Sequence, residues 1–205
     1  MFVPTRSPQI ILASASPRRI ELLAQIGVKV IVHPVGIDET QNHNEPVMDY
    51  VQRLAMEKAG RGFETVEDRQ DMPVLGADTV VEVNGMILGK PESRDHAAKM
   101  LQQLSGQKHK VHTSVAIVTD DKVLKDTSSS EVRFRKMDDW EINSYLETGE
   151  ADDKAGSYAV QGIAAQFIKN INGSFSGIMG LPLYETAELL NQCGLNLLDN
   201  KNYKE

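Results

Sequence analysis

A single cysteine, Cys193, is the only thiol in the 205 residues. That excludes an intrachain disulfide framework and any all-cysteine metal site, and it suits a reducing compartment. Set in an apolar helical stretch, Cys193 reads as core. No apolar run approaches the ~18 residues of a membrane span, and the N-terminus has no signal-peptide pattern, so a cytoplasmic location is expected. A basic excess is missing too: the net charge is −7. Broad surfaces for nucleic acid or anionic membrane need such an excess, so neither partner is expected, and a phosphate ligand would need a local cluster of cations. There is no internal repeat, low-complexity segment or Pro- or Ser-rich linker. The remaining composition, 40% hydrophobic and 25% charged, is that of a soluble globular chain able to form one substantial core or two small lobes.

The chain is organised around Gly76-Ala77-Asp78-Thr79-Val80-Val81. The run from Pro73 to Val83 is apolar and β-branched and reads as a buried strand, yet it carries a carboxylate in its middle. Burying an unpaired carboxylate costs several kcal/mol, roughly, so Asp78 needs a cation or a chemical task. Asn84-Gly85 is a strong hairpin signal and returns the chain as Met86-Ile87-Leu88 into Gly89-Lys90-Pro91. That register sets Lys90 opposite Thr79 and diagonal to Asp78. The pattern answers equally to a base beside a phosphate-binding cation and to a structural ion pair on a sheet rim.

Gln9 to Ala13 reads as a strand, followed by a helix from Pro17 to Ile26 that Gly27 stops. Ser16 as N-cap and Pro17 at the first helical position suit such a start. Arg18 and Arg19 come next, and cations beside the positive end of a helix dipole are unfavourable. An anion bound there removes the conflict, since helix N-termini offer free N–H groups and arginine offers paired donors; two solvated surface arginines are the alternative. Lys29 to Val35 reads as a second strand, ending in the acidic Asp38-Glu39, which suits either a divalent cation or a solvated loop. From Asn44 as cap, a helix is expected to about Gly60, with Lys58 continuing the apolar stripe of Val47, Val51 and Leu54. Lys58 either points inward to a cleft or snorkels at the helix end.

Arg61 to Asp71 reads as an exposed connection. Ser93 to Leu104, stopped by Gly106, and Asp138 to Gly149, opened by a capping-box pattern, read as helices, with a long hairpin from His109 to Phe134 between them. Asp152 to Gly162 packs charges, small residues and an amide into one irregular stretch, as functional loops do. Ala164 to Ile171, Asn172-Gly173 and Ser174 to Leu181 read as a hairpin, and Pro182 opens a last helix to Gly194. This order predicts an α/β fold with a mixed twisted sheet, in two lobes around a central cleft.

Taken together, Ser14-Ala15-Ser16-Pro17-Arg18-Arg19, Asp38-Glu39-Thr40, Gly76-Ala77-Asp78-Thr79, Gly89-Lys90-Pro91, Asp153-Lys154-Ala155-Gly156 and Gly180-Leu181-Pro182-Leu183 resemble the Maf family of nucleoside triphosphate pyrophosphatases. The resemblance runs from about residue 10 to 190 of a single domain spanning 1–205. It implies hydrolysis of a nucleoside triphosphate to monophosphate and pyrophosphate in nucleotide-pool house-cleaning. It also implies dependence on a divalent metal, Mg²⁺ or Mn²⁺, a fold similar to inosine triphosphatase, and a homodimer as a family-based expectation. Position by position, it implies Asp78 as proton acceptor, Ser14, Arg18, Arg19, Lys58 and Lys90 as phosphate-binding residues, and Glu39 and Asp78 as metal ligands. Arg18, Thr79 and Gln161 match the branch similar to thymidine and uridine triphosphate pyrophosphatases at three distinguishing positions. The rival expectations are a nucleotide-sensing regulator of cell division without turnover, and a purine house-cleaning pyrophosphatase of similar fold.

Overall fold

The computed structural model describes residues 9–198; the motif-free segments 1–8 and 199–205 lie outside them. The chain begins with strand β1 (Ile10–Leu12), fully buried, followed by helix α1 (Pro17–Gln25) and strand β2 (Val30–Val32). Helix α2 (Val47–Thr65) then leads to the long strand β3 (Val74–Val83) and the short β4 (Met86–Leu88). Helix α3 (Arg94–Leu104), strands β5 (Lys108–Val118) and β6 (Val123–Phe134) and helix α4 (Asp139–Glu147) form the middle of the chain. After it come 3₁₀ turns at Ala155–Ser157 and Ile163–Phe167, strand β7 (Ile168–Asn172), and helices α5 (Phe175–Met179) and α6 (Leu183–Gln192).

The strands form one seven-stranded sheet in the order β2-β1-β3-β5-β6-β7, with β4 pairing to β3. Pairing is parallel for β1 with β2 and with β3, and antiparallel for β3 with β4 and β6 with β7. The expected mixed α/β sheet is therefore present. Among the described residues no helix is long and apolar enough to cross a membrane.

The chain divides into two compact units, as the two-lobed reading expects. One comprises the described parts of Met1–Asp78, Ser114–Thr127 and Gly180–Glu205, the other Thr79–Thr113 and Ser128–Met179. In the first, α2 lies very close to β1 and β3, and small residues make that approach feasible. A Cβ on Gly76 would stand 2.4 Å from the Ala59 amide nitrogen, and one on Gly62 would stand 2.9 Å from both Ala13 Cβ and Val74 Cγ1. The second unit has an apolar cluster in which Leu101, Leu104, Val132 and Phe134 are almost wholly buried.

Several boundaries depart from the sequence reading. Helix α2 starts after Pro46 rather than at Asn44, because Asn44 has left-handed backbone (φ 58°) and the residue before a proline is disfavoured in helical conformation. The same helix passes Gly60 and ends at Thr65; Phe63, Val66 and Met72 pack on Ile11, Ala13 and Val74, so the supposed exposed connection carries core contacts. Ser174 to Leu181 is no strand: Ser174 Oγ accepts from the Gly177 amide at 3.0 Å, and α5 follows in place of a hairpin. Cys193 is only half-buried, at the end of α6. The β3–β4 register has the predicted alignment, with Val81 opposite Leu88 and Val83 opposite Met86. Its ladder stops at Leu88, however, so the pairing does not extend to Lys90, which is exposed.

Candidate active site

Asp78 lies in β3, only 7% exposed, and its partner is Lys58 rather than Lys90. Lys58 Nζ donates to Asp78 Oδ1 at 2.7 Å and stands 2.7 Å from Glu39 Oε1. Lys58 is thus turned inward, and the helix-end snorkelling alternative is excluded. The glycine at 76 explains how: with no side chain on β3 two residues before Asp78, α2 rests backbone-to-backbone on the strand at Ala55 and Ala59. Lys58, next to Ala59, is thereby within reach of the carboxylate. An alanine at 76 would wedge the two apart.

Glu39 is on a loop, and α2 also holds that loop. Tyr50 Oη donates to the Glu39 carbonyl at 2.7 Å. Arg53 donates through Nη2 to the Thr40 carbonyl at 3.0 Å and through Nε and Nη2 to both carboxylate oxygens of Glu45, at 2.7 and 2.9 Å. Those donations hold the Glu45 carboxyl down to about 2. Tyr50 and Arg53 were missed by sequence reasoning, although both lie on the helix that carries Lys58.

The loop between β1 and α1 brings up the arginines. Ser16 has the extended backbone of an N-cap and Pro17 follows it, but the Ser16 side chain makes no capping hydrogen bond. Its amide donates instead to Ser14 Oγ at 3.2 Å. The N–H groups of the first turn are thus left without a side-chain cap, which is the condition for anion binding at a helix start. Arg19 is half-buried and fixed: Nη1 donates to Ser14 Oγ at 3.1 Å and Nε to the Gly180 carbonyl at 2.9 Å. Its predicted alternative as a solvated surface residue does not hold. Arg18 is half-buried.

These groups feel one another. Burial raises the Asp78 carboxyl above its ordinary value, while Lys58 and Arg19 pull it down and Glu39 pushes it up. Burial lowers the Arg19 guanidinium, with Asp78 opposing. A carboxylate that holds its proton more tightly than usual is a better base once ionised, as base catalysis requires. Ser14, Arg19, Lys58, Glu39 and Asp78 are therefore brought together in the first unit. Among the described residues no group of three or more His, Cys, Asp or Glu side chains gathers as a metal cage. Glu39 and Asp78 do share one ammonium at 2.7 Å each, so two hard oxygen ligands face a common cation position. Such a pair suits Mg²⁺ or Mn²⁺, whose remaining ligands are commonly water and substrate phosphate.

Lys90, Thr79 and Gln161 belong to the second unit. The Gly156 amide donates to the Gly89 carbonyl at 3.0 Å, which ties the segment before Lys90 to the 3₁₀ turn at Ala155–Ser157. Gly156 has φ +68°, and a Cβ there would stand 3.0 Å from Val81 Cγ2, so both conformation and space require glycine there. Thr113 Oγ1 is 2.7 Å from the Gly177 carbonyl and 3.0 Å from Thr79 Oγ1. A carbonyl only accepts, so the Thr113 proton goes to Gly177 and Thr79 donates to Thr113. Thr79 then presents acceptor lone pairs. Gln161 is exposed, between buried Val160 and half-buried Gly162.

The family model described as Maf-like protein matches residues 9–193. The chain is 47% identical over 194 residues to the dTTP/UTP pyrophosphatase of Bordetella parapertussis, covering 92% of this chain and 94% of that one. Identity is 49% over 201 residues to the like-named protein of Aromatoleum aromaticum, covering 92% and 97%. It is 48% over 206 residues to that of Nitrosospira multiformis, covering 96% and 98%. The structure of the Staphylococcus aureus Ham1 protein aligns with a TM-score of 0.39 at 17% identity, over 77% of this chain and 90% of that one, a likeness too weak to carry an argument.

Proposed function

Because the chain belongs to the Maf-like protein family, we propose that it hydrolyses dTTP and UTP to the nucleoside monophosphate and pyrophosphate, as a cytoplasmic house-cleaning enzyme of the nucleotide pool. The observation that carries this reading is the buried Asp78 carboxylate on Lys58, with Arg19 and Glu39 beside it, in a chain about half identical to proteins named for that activity.

In the proposed reaction, Asp78 accepts a proton from a water that attacks the α-phosphorus, and pyrophosphate leaves. Phosphoryl chemistry is mostly positioning and charge stabilisation, and Arg18, Arg19, Lys58 and Lys90 supply the positive charge. The uncapped first turn of α1 and the Ser14 hydroxyl add neutral donors for phosphate oxygens. Glu39 and Asp78 would hold a divalent cation, Mg²⁺ or Mn²⁺, whose charge would offset that of the triphosphate. Lys58 would then leave the carboxylates for a phosphate oxygen, freeing Asp78 to act as base. At the base, the Gln161 amide offers a donor and an acceptor to the N3–H and O4 edge of uracil or thymine, and Thr79 offers an acceptor.

The test is a panel of triphosphates with Mg²⁺, measuring monophosphate and pyrophosphate together. UTP and dTTP are expected to give both in equal amounts and faster than CTP or GTP. Tight binding of a nucleotide without product would overturn the reading in favour of a sensor.

A further inference from the structure

Glu150 follows the end of α4, and its half-buried carboxylate collects neutral donors from two directions. Oε1 accepts from Tyr145 Oη at 2.9 Å and from the Ala164 amide at 3.1 Å; Oε2 accepts from the Ile163 amide at 2.7 Å. The residue before those amides is Gly162, where a Cβ would stand 2.0 Å from Glu150 Oε2 and 2.4 Å from its carboxyl carbon. Gly162 is glycine because the carboxylate occupies the place of its side chain. Its own amide donates to the Ala159 carbonyl at 3.1 Å, closing a turn that has Gln161 at its third position. Gln161 is exposed, so its aim is set by the backbone of that turn.

We propose that Glu150 is a positioning residue for base selection. By gripping the 162–164 backbone it fixes where Gln161 is presented, and so sets the preference for uridine and thymidine triphosphates. The proposal rests on the base-reading role given to Gln161 above. A pre-ordered turn loses less freedom when the base binds, so loss of the clamp falls on KM and on discrimination. The chemistry at Asp78 is left intact.

Glu150→Gln keeps size but replaces one acceptor oxygen with an NH₂ group facing a backbone N–H. The expected result is a drop of about tenfold in kcat/KM for UTP, mostly through KM, with a similar fall in the UTP to GTP ratio. The amides of Ile163 and Ala164 should lose hydrogen-exchange protection. Gly162→Ala, which displaces the carboxylate sterically, should act in the same direction and serves if Glu150→Gln does not fold. In a Gln161→Ala background the Glu150→Gln change should cost less than about twofold, because the group it aims is gone. A full tenfold cost in that background would overturn the proposal, as would an unchanged UTP to GTP ratio in a variant whose two amides exchange faster. An unchanged ratio in Gln161→Ala alone would instead defeat the reading of Gln161 itself, before Glu150 is touched.

Discussion

Two carboxylates in this molecule are withdrawn from solvent and satisfied in opposite ways. Asp78 is held by a cation, Lys58, which also serves Glu39. Glu150 is held by two backbone amides and a tyrosine hydroxyl. A mobile ammonium can be exchanged for a metal ion, or moved onto a phosphate, without unfolding anything. Backbone amides cannot be exchanged, so Glu150 acts as a fixed clamp. Within this pair, the kind of donor distinguishes the acid proposed to react from the acid that holds a turn, and burial alone does not.

The largest effect that would break this comparison is at Asp78 itself. Asp78→Asn removes basicity at constant size and should lower kcat by about 10²–10⁴-fold while the protein stays folded. More than half of the wild-type turnover in the folded variant would strip Asp78 of its role.

Next is the packing that delivers Lys58. Gly76→Ala would place a methyl 2.4 Å from the Ala59 nitrogen and should cost about 3 kcal/mol in denaturant unfolding, at the upper end of overpacking. It should also lower kcat, since Lys58 moves with α2. A melting temperature within a degree of wild type would show that α2 does not need this approach.

A smaller effect distinguishes the two arginines. Arg19 is tied to Ser14 and Gly180, so Arg19→Ala should destabilise the nucleotide-free protein by about 1–3 kcal/mol. Arg18→Ala should reduce the stabilisation given by triphosphate by about 1.4 kcal/mol, the equivalent of tenfold weaker binding. An unchanged triphosphate stabilisation in Arg18→Ala would remove Arg18 from phosphate binding.

The mildest test is pH. Burial raises the Asp78 carboxyl above its ordinary value in the nucleotide-free protein, and a base works only when ionised, so the acid limb of kcat/KM, which reports the free enzyme, should lie above the ordinary aspartate range and vanish in Asp78→Asn. Stability follows the same sign. The contribution of Asp78 is fully present below its unfolded value and is lost as pH rises through the raised folded value. Wild type should therefore lose stability relative to Asp78→Asn across that window. A stability difference that runs the other way would mean that Lys58 and Arg19 outweigh burial.

Local chemistry made much of the fold legible. The Ser93 cap accepts from the His96 amide, the Asp138–Glu141 capping box closes as its pattern predicts, and Asn84-Gly85 sets the β3–β4 register. Lys58 was readable as the last member of an inward stripe. Contacts between distant segments were not readable. Nothing in the sequence around Asp78 says that its cation comes from residue 58 rather than 90, because that depends on how closely α2 approaches Gly76. Glu150 was invisible for the same reason, since its partners at 145, 163 and 164 make no periodic pattern. Helix α5 is five residues long, too short for helical and strand periods to differ.

The central claim is that Asp78 directs water to the α-phosphorus of a pyrimidine triphosphate, and the position of solvent oxygen tests it most directly. Hydrolysis of UTP in ¹⁸O-labelled water with Mg²⁺, followed by mass spectrometry of both products, should put the label in UMP and leave pyrophosphate unlabelled. Label in pyrophosphate, or UDP and phosphate as products, would contradict the account.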